Sequence, residues 1–510
     1  MNTPLELAGG LPQPSAVSRA FLARPHRLLI GDRWVEGGGG RVIEVENPAR
    51  GTHLASVPTA SAADLDAAVA AARHSLTHGW GRTSSRDRGR VLQRMADLLV
   101  QHAARIAEIE TLDNGTPISI SVKTVGSLAA DLFRYYAGWT TKIAGDAFTP
   151  NVGGREHLEF MVATCRDPIG VVGAIVPWNA PSGMLALKLA PALATGCTVV
   201  LKPAEQAPLV AELFAELLLE AGAPPGTFNL VQGYGEDIGA AIAAHRDIDK
   251  ITFTGSTEVG RRIVAAAAGN LKRVTLELGG KSPFVIFADA DIALAAPAAA
   301  HACFFVSGQA CMAGTRLFVE ESVHDEVLEG VRATAAKMTL GDGLLPTSVL
   351  GPVISAQQKR RIEHYIQAGI EDGATVAFGG TPLPGPGHFV APTLFTDARS
   401  DMRIAREEIF GPVLTCIRFR SDAEAQLLAE INSTMYGLSG SVWTRDLQRA
   451  LRIARGVDSG QVGINVHAAV SPETPFGGNK QSGWGREFGR EGLEPYLKTK
   501  AITINLGPRP

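Results

Sequence analysis

Apolar residues recur along this chain with two periods, and the places where one period gives way to the other mark its elements. From Ser61 the spacing is helical, with Ser61 and Asp64 at capping-box distance ahead of an alanine-rich run. Two longer amphipathic stretches, residues 85–113 and 118–144, predict surface-packing helices, the first closed by Asn114-Gly115. Residues 1–25 carry Pro and Gly without periodicity and predict a loose N-terminal arm. Residues 27–55 alternate around Gly37-Gly38-Gly39-Gly40, which predicts a β-hairpin with a glycine turn.

Residues 146–167 read as extended, with a turn at Asn151-Val152-Gly153-Gly154 and a strand over 158–164. Strands at 171–176, 198–202, 227–231 and 251–254 then alternate with helices at 184–194, 209–221 and 238–244. Short apolar strands separated by helices build a parallel, doubly wound sheet. A second alternating series, from 282 to 465, has strands at 284–287, 317–319, 413–419 and 439–443 and predicts a second α/β domain. The tail at 496–506 alternates like a strand and suits pairing with the earlier extended segment at an edge.

Composition narrows the partner. At 510 residues the chain exceeds what one core serves, and 45% hydrophobic residues suffice for two. A net charge of -3 gives no basic field for nucleic acid and no polybasic face for a membrane, so a small molecule is the expected partner. The cysteines, Cys165, Cys197, Cys303, Cys311 and Cys416, form neither a disulfide framework nor a C-x-x-C metal pair. No secretory signal opens the chain and no apolar run reaches the ~18 residues of a membrane span, so a cytoplasmic protein without a metal is expected.

Chemistry gathers at the predicted strand ends, where open α/β sheets bind ligands. The first strand runs into Pro177-Trp178-Asn179-Ala180-Pro181, in which Asn179 is either a turn former or an uncharged donor. The next ends in Lys202-Pro203-Ala204-Glu205, a solvated pair or a carboxylate suited to a ribose diol. Phe253-Thr254-Gly255-Ser256 precedes a helix whose N-terminus suits a phosphate, although the glycine spacing departs from G-x-G-x-x-G. Leu276-Glu277-Leu278-Gly279-Gly280-Lys281 sets a carboxylate between leucines, a general base if desolvated and an ion-pair member otherwise. Phe305-Val306-Ser307-Gly308-Gln309-Ala310-Cys311-Met312-Ala313-Gly314 presents Cys311 between glycines that bring backbone N–H groups close to the sulfur. A buried cysteine is more often inert, so Cys311 needs partners to act as a nucleophile. Glu408-Ile409-Phe410-Gly411-Pro412 offers a further ribose contact, and the glycine-rich 475–487 reads as a closely packed loop near an interface or pocket.

Taken in order, these motifs, with Pro475-Phe476-Gly477-Gly478, resemble the aldehyde dehydrogenase superfamily over nearly the whole chain, from about Arg27 to Leu506. The resemblance implies a Rossmann-like NAD-binding domain (26–145 and 168–280), a catalytic domain (281–480) and a β oligomerisation arm (146–167 and 481–510) that makes a homodimer or homotetramer. It implies that Cys311 attacks an aldehyde to form a thiohemiacetal and then a thioester. Asn179 and the Cys311 N–H would hold the oxyanion, and Glu277 would activate the hydrolytic water. It implies cofactor contacts from Trp178, Lys202, Glu205, Phe253, Gly255, Ser256, Glu408 and Phe410. Glu205 favours NAD, with NADP use open. Beside the motifs, Ala180, Leu187, Phe305, Met312, His467 and Ala468 are the expected substrate pocket, and their small members suggest a wide tunnel for a bulky apolar or aromatic aldehyde. His467 also reads as an ordinary core or surface residue. The alternatives are acyl transfer to coenzyme A from the same thioester, which Glu277 disfavours, and a non-catalytic relative.

Overall fold

The computed structural model describes residues 12–509. Two sheets organise it. The first has eight strands in the spatial order Arg33–Val35, Leu28–Ile30, Phe228–Leu230, Thr198–Lys202, Val171–Ile175, Lys250–Thr254, Arg273–Glu277 and Gly483–Trp484. Phe228–Leu230 through Arg273–Glu277 pair in parallel, and chain order reverses at Val171–Ile175, the mark of a doubly wound Rossmann-like sheet. Its central strands Val171–Ile175 and Thr198–Lys202 are buried along their whole length because helices cover both faces. The second, seven-stranded sheet is built around Val413–Phe419, Arg316–Glu320, Pro283–Ile286 and Ser439–Trp443, again parallel. The fold is therefore α/β with two such sheets.

A third, three-stranded sheet stands apart. Leu497–Pro508 runs antiparallel to Leu158–Pro168, which also pairs with Ala147–Phe148. The tail thus meets the extended segment, as its alternation predicts. Phe148, Ile502, Ile504 and Leu506 remain exposed on it. Among the described residues no helix is long and apolar enough to cross a membrane.

Three local expectations are corrected. Of the predicted loose arm, residues 1–11 lie outside the described residues, and Ala16–Ala23 is a helix. Ser15 caps it by accepting from the Ser18 N–H, no Gly or Pro interrupts it, and Phe21 buries beneath it. The glycine run 37–40 is not a hairpin turn. Leu28–Ile30 pairs with Arg33–Val35 and Val42–Asn47 with Thr52–Pro58, so the glycines link two hairpins. Alternation was shared by both hairpins, and only the pairing partners separate them. The stretch 85–113 is two helices, Ser85–Gln101 and Ala103–Asn114, broken at His102, whose φ of -104° and ψ of 10° leave helical space. The capping box at Ser61 and Asp64 forms as expected.

Candidate active site

Register brings the motifs to one edge. Lys202 pairs with Ile175, Ile175 with Phe253 and Phe253 with Leu276, while Thr254 pairs with Glu277. Residues one to four steps beyond these ends, namely Trp178, Asn179, Glu205, Gly255 and Ser256, therefore surround the crevice at the point where strand order reverses.

Ala180 turns the chain from strand to helix in the left-handed region, at φ 52°, and Pro181 opens the helix Pro181–Ala194. The turn aims Asn179 across to the other domain, where its Nδ2 donates to the Gln309 carbonyl at 3.0 Å. One amide hydrogen is thus spent on orientation and the second is left over. Gln309 stands two residues before Cys311, so the predicted donor and the predicted nucleophile meet through one hydrogen bond.

The loop that presents Cys311 is strained and braced. Helix Ile292–Phe304 ends, and Val306 and Ser307 follow at φ 44° and 57°, a conformation costing about 1–3 kcal/mol for each such residue. The Ser307 hydroxyl donates to the Gly351 carbonyl at 2.6 Å, and the Gln309 Oε1 accepts from the Ile354 N–H at 2.8 Å. These bonds to one neighbouring segment hold the turn. A Cβ on Gly280 would collide with the Cys311 carbonyl, so the Glu277 loop and the Cys311 loop touch only because that position is glycine. Burial pushes the Cys311 thiol up to about 12, with the charges of Glu277 and Glu408 adding to it.

Glu277 is buried, and neither of its carboxylate oxygens has a hydrogen-bond partner. Burial first, and Glu487 second, hold its carboxyl well above the ordinary carboxylate range, against the opposing pull of Lys188 and Arg486. A Cβ on Gly477 would stand 2.8 Å from Glu277 Oε1, so the 475–487 loop packs directly on the carboxyl. Lys188 and Glu487 form a buried ion pair behind it. Sequence reading missed this pair, although Lys188 is the one charge in the otherwise apolar helix Pro181–Ala194.

The expected cofactor residues divide by what they already hold. Lys202 Nζ donates to the Pro203 carbonyl at 2.9 Å and to Glu205 at 3.1 Å, and Glu205 remains a quarter exposed. Burial lowers the Lys202 pKa, with Glu205 partly restoring it. A Cβ on Gly255 would collide with the Phe253 ring, so glycine keeps the backbone low over the strand end. The Gly255 N–H does not face a phosphate, however: it donates to the Glu277 carbonyl at 3.0 Å, continuing the sheet. Ser256 caps the helix Thr257–Ala267 through its hydroxyl. Thr254 Oγ1, within the quoted motif but given no role there, and both ends of the Gln232 amide, unnoticed in the sequence, are buried without partners. Phe410, at φ 58°, meets Trp178 edge-on, with ring centres 5.3 Å apart. Glu408 accepts from the Gly280 N–H at 2.9 Å, and burial pushes it up to about 7.

Around Cys311, Leu187 is buried in the core and Met312 packs against that same cluster. Phe305 is half exposed. Ala468 sits in the left-handed region at φ 51°. His467 has both ring nitrogens engaged, one with the Met312 carbonyl at 2.8 Å and one with Ser441 Oγ at 3.0 Å. It ties the residue after Cys311 to the second sheet.

Comparison with known proteins shows the family. The sequence model of the Aldehyde dehydrogenase family matches residues 34–502. The chain is 44% identical to human retinal dehydrogenase 2 over 94% of its own length and 92% of that protein's. It is 43% identical to phenylacetaldehyde dehydrogenase of Pseudomonas fluorescens over 95% and 96%. It is also 42% identical to the cytosolic 10-formyltetrahydrofolate dehydrogenase of Xenopus tropicalis, of which it spans only about half, 53%. Among solved structures, the NAD+ complex of an aldehyde dehydrogenase from Bacillus cereus superposes with a TM-score of 0.93 at 40% identity, covering 97% of this chain and 99% of that one. The chain belongs to the aldehyde dehydrogenase family.

Proposed function

We propose that this chain oxidises a bulky apolar or aromatic aldehyde to the free carboxylic acid, with Cys311 as nucleophile, Asn179 as oxyanion donor and Glu277 as base. The observation that carries this reading is Glu277: a buried carboxyl with no hydrogen-bond partner, near enough to Cys311 for its charge to raise the thiol. Such a group is costly to a fold and free to take a proton.

Once the Cys311 proton has passed to water, the sulfur adds to the aldehyde carbon, and the carbonyl electron pair moves to oxygen. There the second amide hydrogen of Asn179 and the Cys311 N–H meet it. NAD, when bound, supplies the two-electron acceptor. Glu205 beside Lys202, the glycine at 255, the Trp178 and Phe410 rings and Glu408 would hold it, with Phe253 and Ser256 shaping the floor. The orphaned Thr254 and Gln232 polar atoms at that edge fit a polar ligand. Glu277 then takes a proton from water as its oxygen attacks the Cys311 thioester. The C–S bond breaks, releasing the acid and restoring the thiol. Mutual repulsion disfavours two negative charges here, so a neutral thioester leaves Glu277 easier to ionise than a thiolate does.

The substrate class rests on the short or flexible side chains of Ala180, Leu187, Met312 and Ala468, and on relatives named for phenylacetaldehyde and retinal. A panel of aldehydes, read by NADH formation, tests it. Higher kcat/KM for aromatic and long aldehydes is expected, and preference for small charged ones would overturn it. Products analysed with and without coenzyme A should show the free acid in both; an acyl-coenzyme A product would favour acyl transfer. The unpaired cysteines suit a reducing cytoplasm, and the exposed apolar residues of the three-stranded sheet suit a homodimer or homotetramer, which light scattering on the eluting protein checks.

A further inference from the structure

Of the polar side chains in the C-terminal turn of helix Ala103–Asn114, Glu110, Asp113 and Asn114 are at most 2% exposed. Each is spent on a different part of the crevice. Glu110 Oε2 accepts from the Ser182 N–H at 2.9 Å, capping the helix that follows Asn179. Asp113 Oδ2 accepts from the Leu209 N–H at 2.9 Å, at the start of the helix Leu209–Glu220 that follows the Lys202–Glu205 corner. Asn114 Nδ2 donates to the Trp178 carbonyl at 3.3 Å, while its Oδ1 accepts from the Thr116 N–H at 2.9 Å. The second bond fixes which end of the amide faces Trp178.

The corner also touches the other domain. Gly115 closes the helix in the left-handed region at φ 84°, and a Cβ there would stand 2.6 Å from the Pro352 ring. The Ile118 N–H donates to the Gly343 carbonyl at 2.8 Å. The segment 351–354 pressed against this corner is the one that braces Ser307 and Gln309. One end of the corner thus grips the peptide next to Asn179, and the other abuts the support of the Cys311 loop.

We propose that Asn114 is a positioning residue for the reaction, holding the Trp178-Asn179 backbone so that the Asn179 amide stays aimed at the oxyanion formed on Cys311. The inference rests on the role proposed for Asn179. Asn114→Ser tests it, because a serine hydroxyl can still accept from the Thr116 N–H in the turn but cannot reach the Trp178 carbonyl. A misaimed donor costs less than a missing one, so kcat should fall roughly 10-fold, against ~10²–10³ for Asn179→Ala. KM for the aldehyde should stay within about twofold, since Asn114 itself touches no substrate. In an Asn179→Ala background, Asn114→Ser should change kcat no further. Asn114→Ala, put through the same cycle, decides the matter if the serine variant folds poorly. Unchanged kcat, or losses that multiply in the double variant, would overturn the proposal and leave Asn114 a merely structural residue. Wild-type kcat in Asn179→Ala alone would instead overturn the role of Asn179.

Discussion

Glu277→Gln separates the two halves of the proposed reaction. Glutamine has the same shape, so the crevice keeps its packing, but it takes no proton from water. Positioned general bases contribute typically ~10²–10⁴-fold, and steady-state turnover should fall by about that factor. Addition of the Cys311 sulfur and the oxidation that follows do not require hydrolysis. Rapid mixing of enzyme, NAD and aldehyde should therefore give a burst of about one NADH per subunit, then a slow phase, and intact-protein mass should show the acyl group on Cys311. Stability carries an independent sign. Burial raises the folded carboxyl above its unfolded value, so its stabilising contribution is complete below the unfolded pKa and is lost as pH rises through the folded one. The glutamine variant is neutral throughout, though its new N–H groups lack partners at a cost of about 1–3 kcal/mol. Its Tm relative to wild type should therefore climb with pH. Wild-type steady-state turnover, or a burst with no acyl adduct, would refute the assignment of Glu277 as hydrolytic base.

Cys311→Ala should abolish aldehyde oxidation while leaving NAD binding, measured by fluorescence quenching, largely intact; residual oxidation would remove the nucleophile from the scheme. In wild type, kcat limited by hydrolysis should rise with pH along a limb lying above the ordinary carboxylate range, because Glu277 is held up there by burial, and that limb should vanish in Glu277→Gln. Lys188→Met leaves Glu487 buried and unpaired, at a cost of about 3–5 kcal/mol in denaturant unfolding, and Glu487→Leu in the same chain should recover most of it. If Lys188→Met unfolds like wild type, the pair is not held as the structure shows it.

What the sequence made legible follows from how locally each feature is determined. Strand and helix alternation located both sheets, and the strand ends named Asn179, Lys202, Gly255 and Glu277, because parallel register carries an edge across a sheet without further information. The glycine run at 37–40 misled because alternation does not state which strands pair. The His102 break was hidden because a one-residue departure from helical dihedrals leaves amphipathic spacing nearly intact.

The features that turn this edge into a site were not local in that sense. Asn179 reaches Gln309, Asn114 reaches Trp178, and Glu277 meets Glu487 and Lys188 only after two domains and a returning loop have closed on one another. Lys188 and Gln309 are polar residues in apolar stretches, which is a readable signal; their destinations are not, because burial specifies only that a polar group must find a partner and not where. Glu277 shares its lack of a side-chain partner with Gln232 and Thr254 at the same sheet edge, whereas Lys188 is paired and Glu110, Asp113 and Asn114 each hold at least one hydrogen bond. A carboxyl kept buried and unpaired beside a thiol is best explained by a reaction that needs its lone pairs.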